Sequence, residues 1–262
     1  MVNGQTPWPF AVGLPEGVAL DHLLVELRRL SWAAADILLA YGRGEQPPYG
    51  FPKALSVDAG GEGPVSAADL AVNQWLLEGL QASFPAAGWT LLSEETAQAQ
   101  LRDGEPLAAE WLWILDPLDG TKDFLQGTGE YAVHLALVRG QAPALGVVLL
   151  PEPGELWIGV INGDAPASVD PPASGDDPAS TGAGVAAVPA VAVVPGMAWR
   201  ENRAGEVFPV GFSTRRQRQE LVLVASRNHR DQRLELLLKA MALGDTLAIG
   251  SVGGKVATIL RG

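Results

Sequence analysis

An uninterrupted apolar run at residues 111–115 leads directly into Asp116-Pro117-Leu118-Asp119-Gly120-Thr121, and this junction constrains the fold more than any other segment. Such a run predicts a central, buried strand. Pro117 lacks a ladder donor and Gly120 permits a tight turn, so we expect the strand to end here. The sequence therefore places two carboxylates on one turn at the end of a buried strand.

This turn combines three kinds of group that phosphate chemistry uses. Asp116 and Asp119 can converge on a hard cation, which prefers oxygen ligands. Thr121 supplies a hydroxyl, and free N–H groups at the start of a following short helix can hold a phosphate oxygen. A lone Asp-Pro pair is usually an ordinary turn with a helix cap, but the complete run from 114 to 121 favours a functional site.

Three acidic residues upstream carry weaker signals of their own. Glu94 and Glu95 follow a predicted strand at residues 89–92, and adjacent acids at a strand end are usually solvated. A functional role for them becomes more plausible because the apolar strand at residues 111–115 also ends in acidic residues. Asp69 closes Ser66-Ala67-Ala68-Asp69, which is typical of a capping box, so taken alone it predicts only a helix start.

Hydrophobic periodicity and turn residues predict the remaining organisation. Residues 162–198 are dominated by Ala, Pro, Gly, Ser, Asp and Val, and we interpret them as a flexible insertion. Three strands before it, separated by turns, predict an antiparallel meander. The predicted helices are residues 20–41, 66–84 and 231–243, and the predicted strands are residues 89–92, 111–115, 130–139, 144–150, 155–161, 207–212 and 221–225.

Composition excludes several classes of protein. A net charge of -12 argues against nucleic acid as a partner, although divalent cations can mediate between acidic residues and a small phosphorylated substrate. The absence of cysteine excludes disulfides and thiolate metal sites and favours a cytoplasmic setting. The strongly apolar runs are strand-length, which argues against a membrane protein. No positive residue precedes Arg28, so a secretory signal is not expected.

Three segments taken together resemble the inositol monophosphatase superfamily. Its members share a Val-Thr-x-Ala-Asp helix start, a Glu-Glu pair and an Asp-Pro-Ile/Leu-Asp-Gly-Thr motif. This chain has Val65-Ser66-Ala67-Ala68-Asp69, Ser93-Glu94-Glu95 and the motif at 116–121, in the same order and with similar spacing. The resemblance extends over about residues 20–160 and less clearly over 207–262.

Within that superfamily, three local features resemble the CysQ-type 3′(2′),5′-bisphosphate nucleotidases. Leu91-Leu92-Ser93-Glu94-Glu95 is similar to their Leu-Ser-Glu-Glu segment. Gly120-Thr121-Lys122-Asp123-Phe124 is similar to their Gly-Thr-Lys-Glu-Phe segment. Ala225-Ser226-Arg227-Asn228-His229-Arg230 is similar to their Ser-Arg-Ser-His segment, although His229 alone would more often be an ordinary surface residue.

The resemblance implies a role for each matched residue. Glu94, Asp116 and Asp119, with the Leu118 carbonyl, would hold Mg²⁺. Thr121, hydrogen-bonded to Asp69, would orient or deprotonate the attacking water. The substrate would be contacted by Gly120, Thr121, Ser226, His229, Ser251 and Lys255. The glycine-rich run 250–255 is not a nucleotide-triphosphatase P-loop, because Ile249 and Val256 replace residues that the P-loop requires.

The implied fold is α/β, a layered α-β-α-β sandwich of the inositol monophosphatase and fructose-1,6-bisphosphatase type. We predict an N-terminal α+β metal-binding domain at 16–161, the insertion at 162–198 and a C-terminal α/β substrate domain at 199–262, with the site in the cleft between them. None of the eight Trp residues is followed by Asp, so the family's late Trp-Asp-x-Ala-Ala motif is absent. The sequence is therefore expected to be a truncation or a fragment with an incomplete C-terminal part.

The implied function is Mg²⁺-dependent hydrolysis of the 3′(2′)-phosphate of 3′-phosphoadenosine 5′-phosphate, or of its sulfate, to AMP or adenosine 5′-phosphosulfate and phosphate. Two alternatives stay open. One is an inositol or other sugar monophosphatase, and the other is a truncated nucleotide-binding protein with weak activity or none. The sequence carries no signal for an oligomeric state.

Overall fold

The computed structural model describes residues 12–53, 67–100, 109–162, 196–227, 236, 240–241 and 243–262. His229, most of the predicted helix at 231–243 and residues 163–195 of the predicted insertion lie outside these ranges. Within the described part of the chain, no helix combines the length and the apolarity needed to cross a membrane.

Two long helices form the first layer. Helix α1 is Leu20–Gly42 and helix α2 is Ala67–Ser83. Their apolar residues recur every three or four positions, so each helix buries one stripe. Fully buried leucines of α1, such as Leu27 and Leu38, join Leu76 and Leu80 of α2 in the core. Each buried leucine contributes on the order of 2 kcal/mol relative to an exposed one.

A seven-stranded sheet forms the second layer, with its strands in sequence order. The β1–β2 pair is parallel and the other neighbours are antiparallel. Two short helices, α3 Glu94–Gln100 and α4 Thr121–Leu125, follow β1 and β2. The strands are β1 Thr90–Ser93, β2 Trp111–Asp119, β3 Ala132–Arg139, β4 Ala142–Leu150, β5 Glu155–Ile161, β6 Gly196–Asn202 and β7 Val207–Pro209.

The second face of this sheet carries the remaining layers. Strands β8 Val222–Ser226 and β9 Asp245–Ile249 form a parallel pair. Helix α5, Val252–Arg261, contacts β3 and β4 on one side and β8 and β9 on the other. Its Ala257 is fully buried against Ala132 of β3. The layers are therefore helix pair, large sheet, helix and small sheet, which confirms the predicted α-β-α-β arrangement.

The structure corrects the predicted boundaries at the edge of the large sheet. Residues 196–198, assigned to the insertion, begin β6, and the strand predicted at 207–212 ends at Pro209. β6 escaped detection because it starts within the Ala- and Gly-rich composition of the predicted insertion and ends in three polar residues, Arg200, Glu201 and Asn202. Glu201 is nevertheless only 3% exposed, since Arg28 of α1 donates to both of its carboxylate oxygens at 2.7 Å.

The predicted meander is confirmed, since β3, β4 and β5 pair antiparallel, while the sheet begins with a parallel β1–β2 pair. Strand β9 and helices α3 and α5 were not predicted. The neighbour of β9, β8, agrees with the predicted strand to within one residue. The division into two domains stays a prediction, with β6 and β7 extending the sheet of the N-terminal part.

Candidate active site

Glu94 and Asp116 lie side by side at the end of the parallel β1–β2 pair. The register places Ser93 of β1 next to Leu115 of β2, so the residues that follow them are also neighbours. Adjacent strands are about 4.8 Å apart, which brings two carboxylates close together. Leu115 belongs to the core beneath the helix pair, so Asp116 points towards the opposite face of the sheet. Glu94 begins α3 directly after β1, and its charge raises the pKa of Asp116, so the two carboxylates lie close together.

A β-bulge brings Asp119 to the same face. Residues three apart in a regular strand point to opposite faces. Here Asp116 pairs with His134 and Asp119 pairs with Ala132, so three steps on β2 correspond to two steps on β3. The extra residue restores the alternation, and both aspartates share the face of His134 and Ala132. Pro117, which cannot donate to a ladder, lies within this bulge.

The acidic residues perturb one another. Burial raises the pKa of the Asp116 carboxyl to about 7, with further contributions from the charges of Glu94 and Asp119. Burial also raises the pKa of Glu95, assisted by the charges of Asp69 and Glu94. Asp69 is only 4% exposed, which is unusual for a simple helix cap. The predicted acids at 69, 94, 116 and 119 therefore converge on one region of concentrated negative charge.

Asp119 is held by the start of α5 and by a histidine. Its Oδ2 accepts the backbone N–H of Gly253 at 2.9 Å and lies 3.2 Å from His134 Nε2. The His134 approach has the distance of an ion pair without the angle of a hydrogen bond. Burial raises the pKa of Asp119, but contact with His134 and the backbone N–H groups of Gly253 and Val252 outweighs burial, so its pKa lies below the ordinary value.

Two glycines allow this close assembly. Gly120 has a left-handed φ of 92°, and a Cβ there would lie 3.0 Å from the Glu130 carbonyl oxygen. Gly253 lies against β3, where an added Cβ would be 2.6 Å from both Ala132 Cβ and His134 Nε2. A side chain at either position would push the turn or the helix away from the site.

The hydroxyl and carbonyl of the motif bond to each other. Thr121 Oγ1 donates to the Leu118 carbonyl oxygen at 3.1 Å, and the Leu118 N–H donates to Asp116 Oδ1 at 3.1 Å. The predicted acceptor for Thr121 was Asp69, and a hydroxyl has one proton to donate. The structure thus ties Thr121 to the backbone of the bulge instead.

The predicted substrate residues have structural partners of their own. Ser251 is fully buried and caps α5 by accepting the Gly254 N–H at 3.0 Å. Lys255 Nζ donates to the carbonyl oxygens of Ile249 and Gly250 at 3.3 and 3.2 Å. Ser226 ends β8 opposite Ile249, at the same end of the small sheet. Their contacts with a substrate stay predictions.

Sequence reasoning missed two residues near the site. His134 faces the aspartates from β3, but it interrupts an apolar strand without any motif. Arg227 lies inside a segment that we singled out for its neighbours, and its guanidinium contacts Asp123 and Glu130. The sequence does contain one sign of His134, because it is a polar residue within the otherwise apolar run of β3.

The site can be tested for its fit to a divalent cation. Among the residues that the structure describes, no three His, Asp or Glu side chains are already grouped as a metal cage. The donors are nevertheless of the right kind, since carboxylate and carbonyl oxygens suit Mg²⁺. Burial is the main reason for the raised pKa of Asp116, the charges of Glu94 and Asp119 add to it, and a bound cation would offset both effects. The oxygen atoms of Glu94, Asp116, Asp119 and the Leu118 carbonyl are thus of the chemical kind that a hard cation prefers.

Three cavities help to place the site. One of about 540 Å³ lies over β3 to β6, has an apolar lining that includes Leu145 and Met197, and touches none of the predicted site residues. A smaller one of about 130 Å³ borders Glu130, Ser251 and Thr258, next to the start of α5. A third cavity of about 360 Å³ is lined by charged residues such as Arg28 and Glu201, but like the apolar one it touches none of the predicted site residues. The smallest cavity is the one of these three that borders a predicted site residue, Ser251.

Parts of this chain are similar in sequence to known proteins. A model of the inositol monophosphatase family matches residues 26–196. The 3′(2′),5′-bisphosphate nucleotidase CysQ of Salmonella typhimurium is 40% identical over 92 residues, which is 34% of this chain and 35% of that protein. A histidinol-phosphatase of Chlorobaculum parvum is 37% identical over 94 residues, which is 36% of this chain and 33% of that protein. The matches thus span about a third of the length of these relatives.

A solved structure extends the similarity to most of the fold. The crystal structure of CysQ from Bacteroides thetaiotaomicron superimposes with a TM-score of 0.57 and 20% sequence identity. The alignment covers 92% of this chain and 77% of that one. At this identity the match supports the architecture and not a shared substrate.

Proposed function

Because the chain belongs to the inositol monophosphatase family, we propose that it is a Mg²⁺-dependent phosphatase of small phosphorylated molecules. The observation that carries the proposal is that three acids meet at one end of the sheet: the bulge in β2 puts Asp116 and Asp119 on one face, and Glu94 directly follows β1 next to Asp116. The preferred substrate in this proposal is 3′-phosphoadenosine 5′-phosphate or its sulfate, from which the 3′(2′)-phosphate is removed.

Glu94, Asp116, Asp119 and the Leu118 carbonyl would hold the cation. A bound Mg²⁺ supplies Lewis acidity, which offsets phosphate charge and lowers the pKa of water. The acidic face itself repels a phosphate dianion, so the proposal requires turnover to be strictly cation-dependent. This dependence separates the proposed enzyme from phosphatases that use arginine clusters.

The chain's own groups have positioning roles in this proposal. Thr121 is fixed at the Leu118 carbonyl, 3.1 Å away, beside the proposed cation ligands. The Thr121 hydroxyl and the carboxylate of the buried Asp69 would together orient the attacking water. The Asp69 carboxylate lies close enough to Glu95 to raise the pKa of Glu95. Water orientation of this kind is worth much of the rate in phosphoryl transfer.

The nucleotide preference has separate support. The carboxyl ends of β8 and β9 lie together beside the acidic face, an arrangement that favours ligand binding at parallel strands. Ser226, Ser251 and Lys255 lie at that end, and His229 follows β8 in sequence. The name of the Salmonella relative is consistent with a bisphosphate nucleotide. The relative from Chlorobaculum makes histidinol phosphate a competitor that has to be tested.

A substrate panel tests the proposal. Phosphate release is measured with 3′-phosphoadenosine 5′-phosphate, inositol 1-phosphate and histidinol phosphate, each with Mg²⁺ and with EDTA. We expect Mg²⁺-dependent release, fastest from the nucleotide. Faster release from inositol 1-phosphate or histidinol phosphate would refute the nucleotide preference and leave the phosphatase class intact. Nucleotide binding without release from any of the three would contradict the proposed activity.

A further inference from the structure

Arg227 links the small sheet to the segment that carries the candidate site. It directly follows β8, and its guanidinium contacts Asp123 of α4 and Glu130, which lies between α4 and β3. Nη1 lies 3.3 Å from Asp123 Oδ1, and Nη2 contacts Glu130 Oε1. The planar guanidinium presents several donors in a fixed geometry, which suits it to hold two carboxylates at once.

Glu130 extends the link to β9. While Oε1 accepts from Arg227, Oε2 accepts the backbone N–H of Gly250 at 2.8 Å. Gly250 is the residue after β9, so one carboxylate holds the carboxyl ends of both strands. Asp123 leaves no room for a side chain at that point, since a Cβ on Gly250 would be 2.2 Å from its Oδ2.

The position of Gly250 controls the start of α5. The next residue, Ser251, caps the helix, and Gly253 donates to Asp119 at 2.9 Å. Gly250, which contacts Glu130, and Gly253, which contacts Asp119, are only three positions apart in sequence. A shift of Gly250 therefore moves the N–H group that holds a proposed cation ligand, together with the predicted substrate residues Ser251 and Lys255.

Charge makes Arg227 hard to replace. Asp123 is only 1% exposed, and its Oδ1 also accepts the Thr128 hydroxyl at 3.0 Å. A buried carboxylate that loses its cationic partner is strongly destabilised. Without Arg227, Asp123 would lose one of its partners, and the Glu130 carboxylate that accepts the Gly250 N–H would lose the cation beside it.

We propose that Arg227 is a positioning residue: through Asp123 and Glu130 it fixes Gly250 and the start of α5 against Asp119. The kinetic consequence rests on the proposed function, whereas the structural consequence does not. Asp116 lies on β2 and Glu94 directly follows β1, so the large sheet rather than α5 holds both in place. Loss of Arg227 therefore weakens substrate binding more than it slows the chemical step.

The test compares Arg227→Met with a matched control, Arg139→Met. Arg139 also pairs with a glutamate, Glu110, but both side chains are exposed and far along β2 and β3 from the acidic face. We expect Arg227→Met to raise KM by about 10-fold or more while kcat falls less than about threefold, since small displacements of binding groups have large effects. Arg139→Met should change neither constant.

Three further measurements test the positioning role of Arg227. Arg227→Lys keeps the positive charge but not the planar guanidinium that reaches two carboxylates, so it should give an intermediate KM. If Arg227→Met does not fold, Arg227→Lys takes its place in the comparison. Glu130→Gln should raise KM less on the Arg227→Met background than on the native one. Amide hydrogen exchange in peptides covering 249–254 should accelerate in Arg227→Met and not in the control.

The exchange measurement separates the two proposals. If the native protein releases phosphate from no substrate, the proposed function fails, and faster exchange at 249–254 would still support the positioning role of Arg227. Unchanged exchange there in Arg227→Met and Arg227→Lys would overturn that role. A lower kcat with an unchanged KM in both variants would also overturn it, because that result would place Arg227 in the chemical step.

Discussion

Asp119 Oδ2 accepts the backbone N–H of Gly253 at 2.9 Å across 134 residues of sequence. The bond joins the bulge of β2 to the first turn of α5, where a negative charge is favourable because of the helix dipole. It also means that the acidic face is completed by a helix from the far end of the chain. The candidate site therefore depends on how α5 packs against β3.

The first prediction concerns that packing. Gly253→Ala should destabilise the protein by about 1–3 kcal/mol, because the added Cβ would lie 2.6 Å from Ala132 Cβ and His134 Nε2. The melting temperature should fall by roughly 2–10 °C. Gly146→Ala is the matched control, since a Cβ on Gly146 meets no atom within 4 Å. Equal melting temperatures for the two variants would show that α5 tolerates a shift.

The second prediction concerns the pH dependence of stability without divalent cations. The pKa of Asp116 is about 7 in the folded protein and 3.8 in the unfolded chain. The folded state therefore binds the proton more tightly, and this contribution to stability is lost as pH rises from about 4 to about 7. Asp116→Asn should remove the loss and stabilise the protein at pH 8 by roughly 2–4 kcal/mol.

Thermal melts in EDTA at pH 5 and pH 8 check this prediction. The amide introduced by Asp116→Asn keeps an oxygen that can accept the Leu118 N–H, so the comparison isolates the charge. Glu110→Gln, at an exposed pair, is the control and should behave like the native protein. A variant at Asp116 that is less stable than native at pH 8 would contradict the assigned cause.

The third prediction concerns cation binding. Mg²⁺ at 100 times its Kd should stabilise the native protein at pH 8 by about 2.7 kcal/mol, and Asp116→Asn should abolish most of this shift. Because protons compete for Asp116, the stabilisation should weaken as pH falls below about 7. Equal Mg²⁺ shifts at pH 5.5 and pH 8 would exclude Asp116 as a ligand.

The fourth prediction concerns the edge strand β6. Arg28→Met leaves the buried Glu201 carboxylate with the Trp199 indole N–H as a donor but no cation. Because the Arg28 side chain is 35% exposed, we expect a loss of about 1–3 kcal/mol, less than for a fully buried pair. Melting of Arg28→Met and of the exposed-pair control Arg139→Met measures the difference. A loss no greater than in the control would show that Glu201 does not depend on Arg28.

Sequence reasoning located the acidic face because its chemistry is local. Asp116 and Asp119 follow an apolar run, and their motif fixes the end of β2 within a few residues. The layered arrangement also followed from the resemblance carried by these motifs. What the pattern alone did not reveal was the reason why two aspartates three residues apart share a face, since the bulge depends on the register with β3.

The features that were missed depend on partners distant in sequence. Glu201 is buried only because Arg28 comes from α1, so β6 has no apolar alternation to detect. His134 and Arg227 become meaningful only beside Asp119 and Glu130. In the sequence alone each of these residues is a polar side chain without an evident partner, and the tertiary structure is needed to identify the residue that it contacts.

The most direct test of the central claim is phosphate release as a function of Mg²⁺ concentration by the native protein and by Glu94→Gln. Glu94 is chosen because its position beside Asp116 follows from the β1–β2 register alone. We predict saturable activation by Mg²⁺ in the native protein and a loss of about 100-fold or more in Glu94→Gln, with Glu110→Gln unaffected. Mg²⁺-dependent release that Glu94→Gln leaves unchanged would contradict the claim that this acidic face holds the catalytic cation.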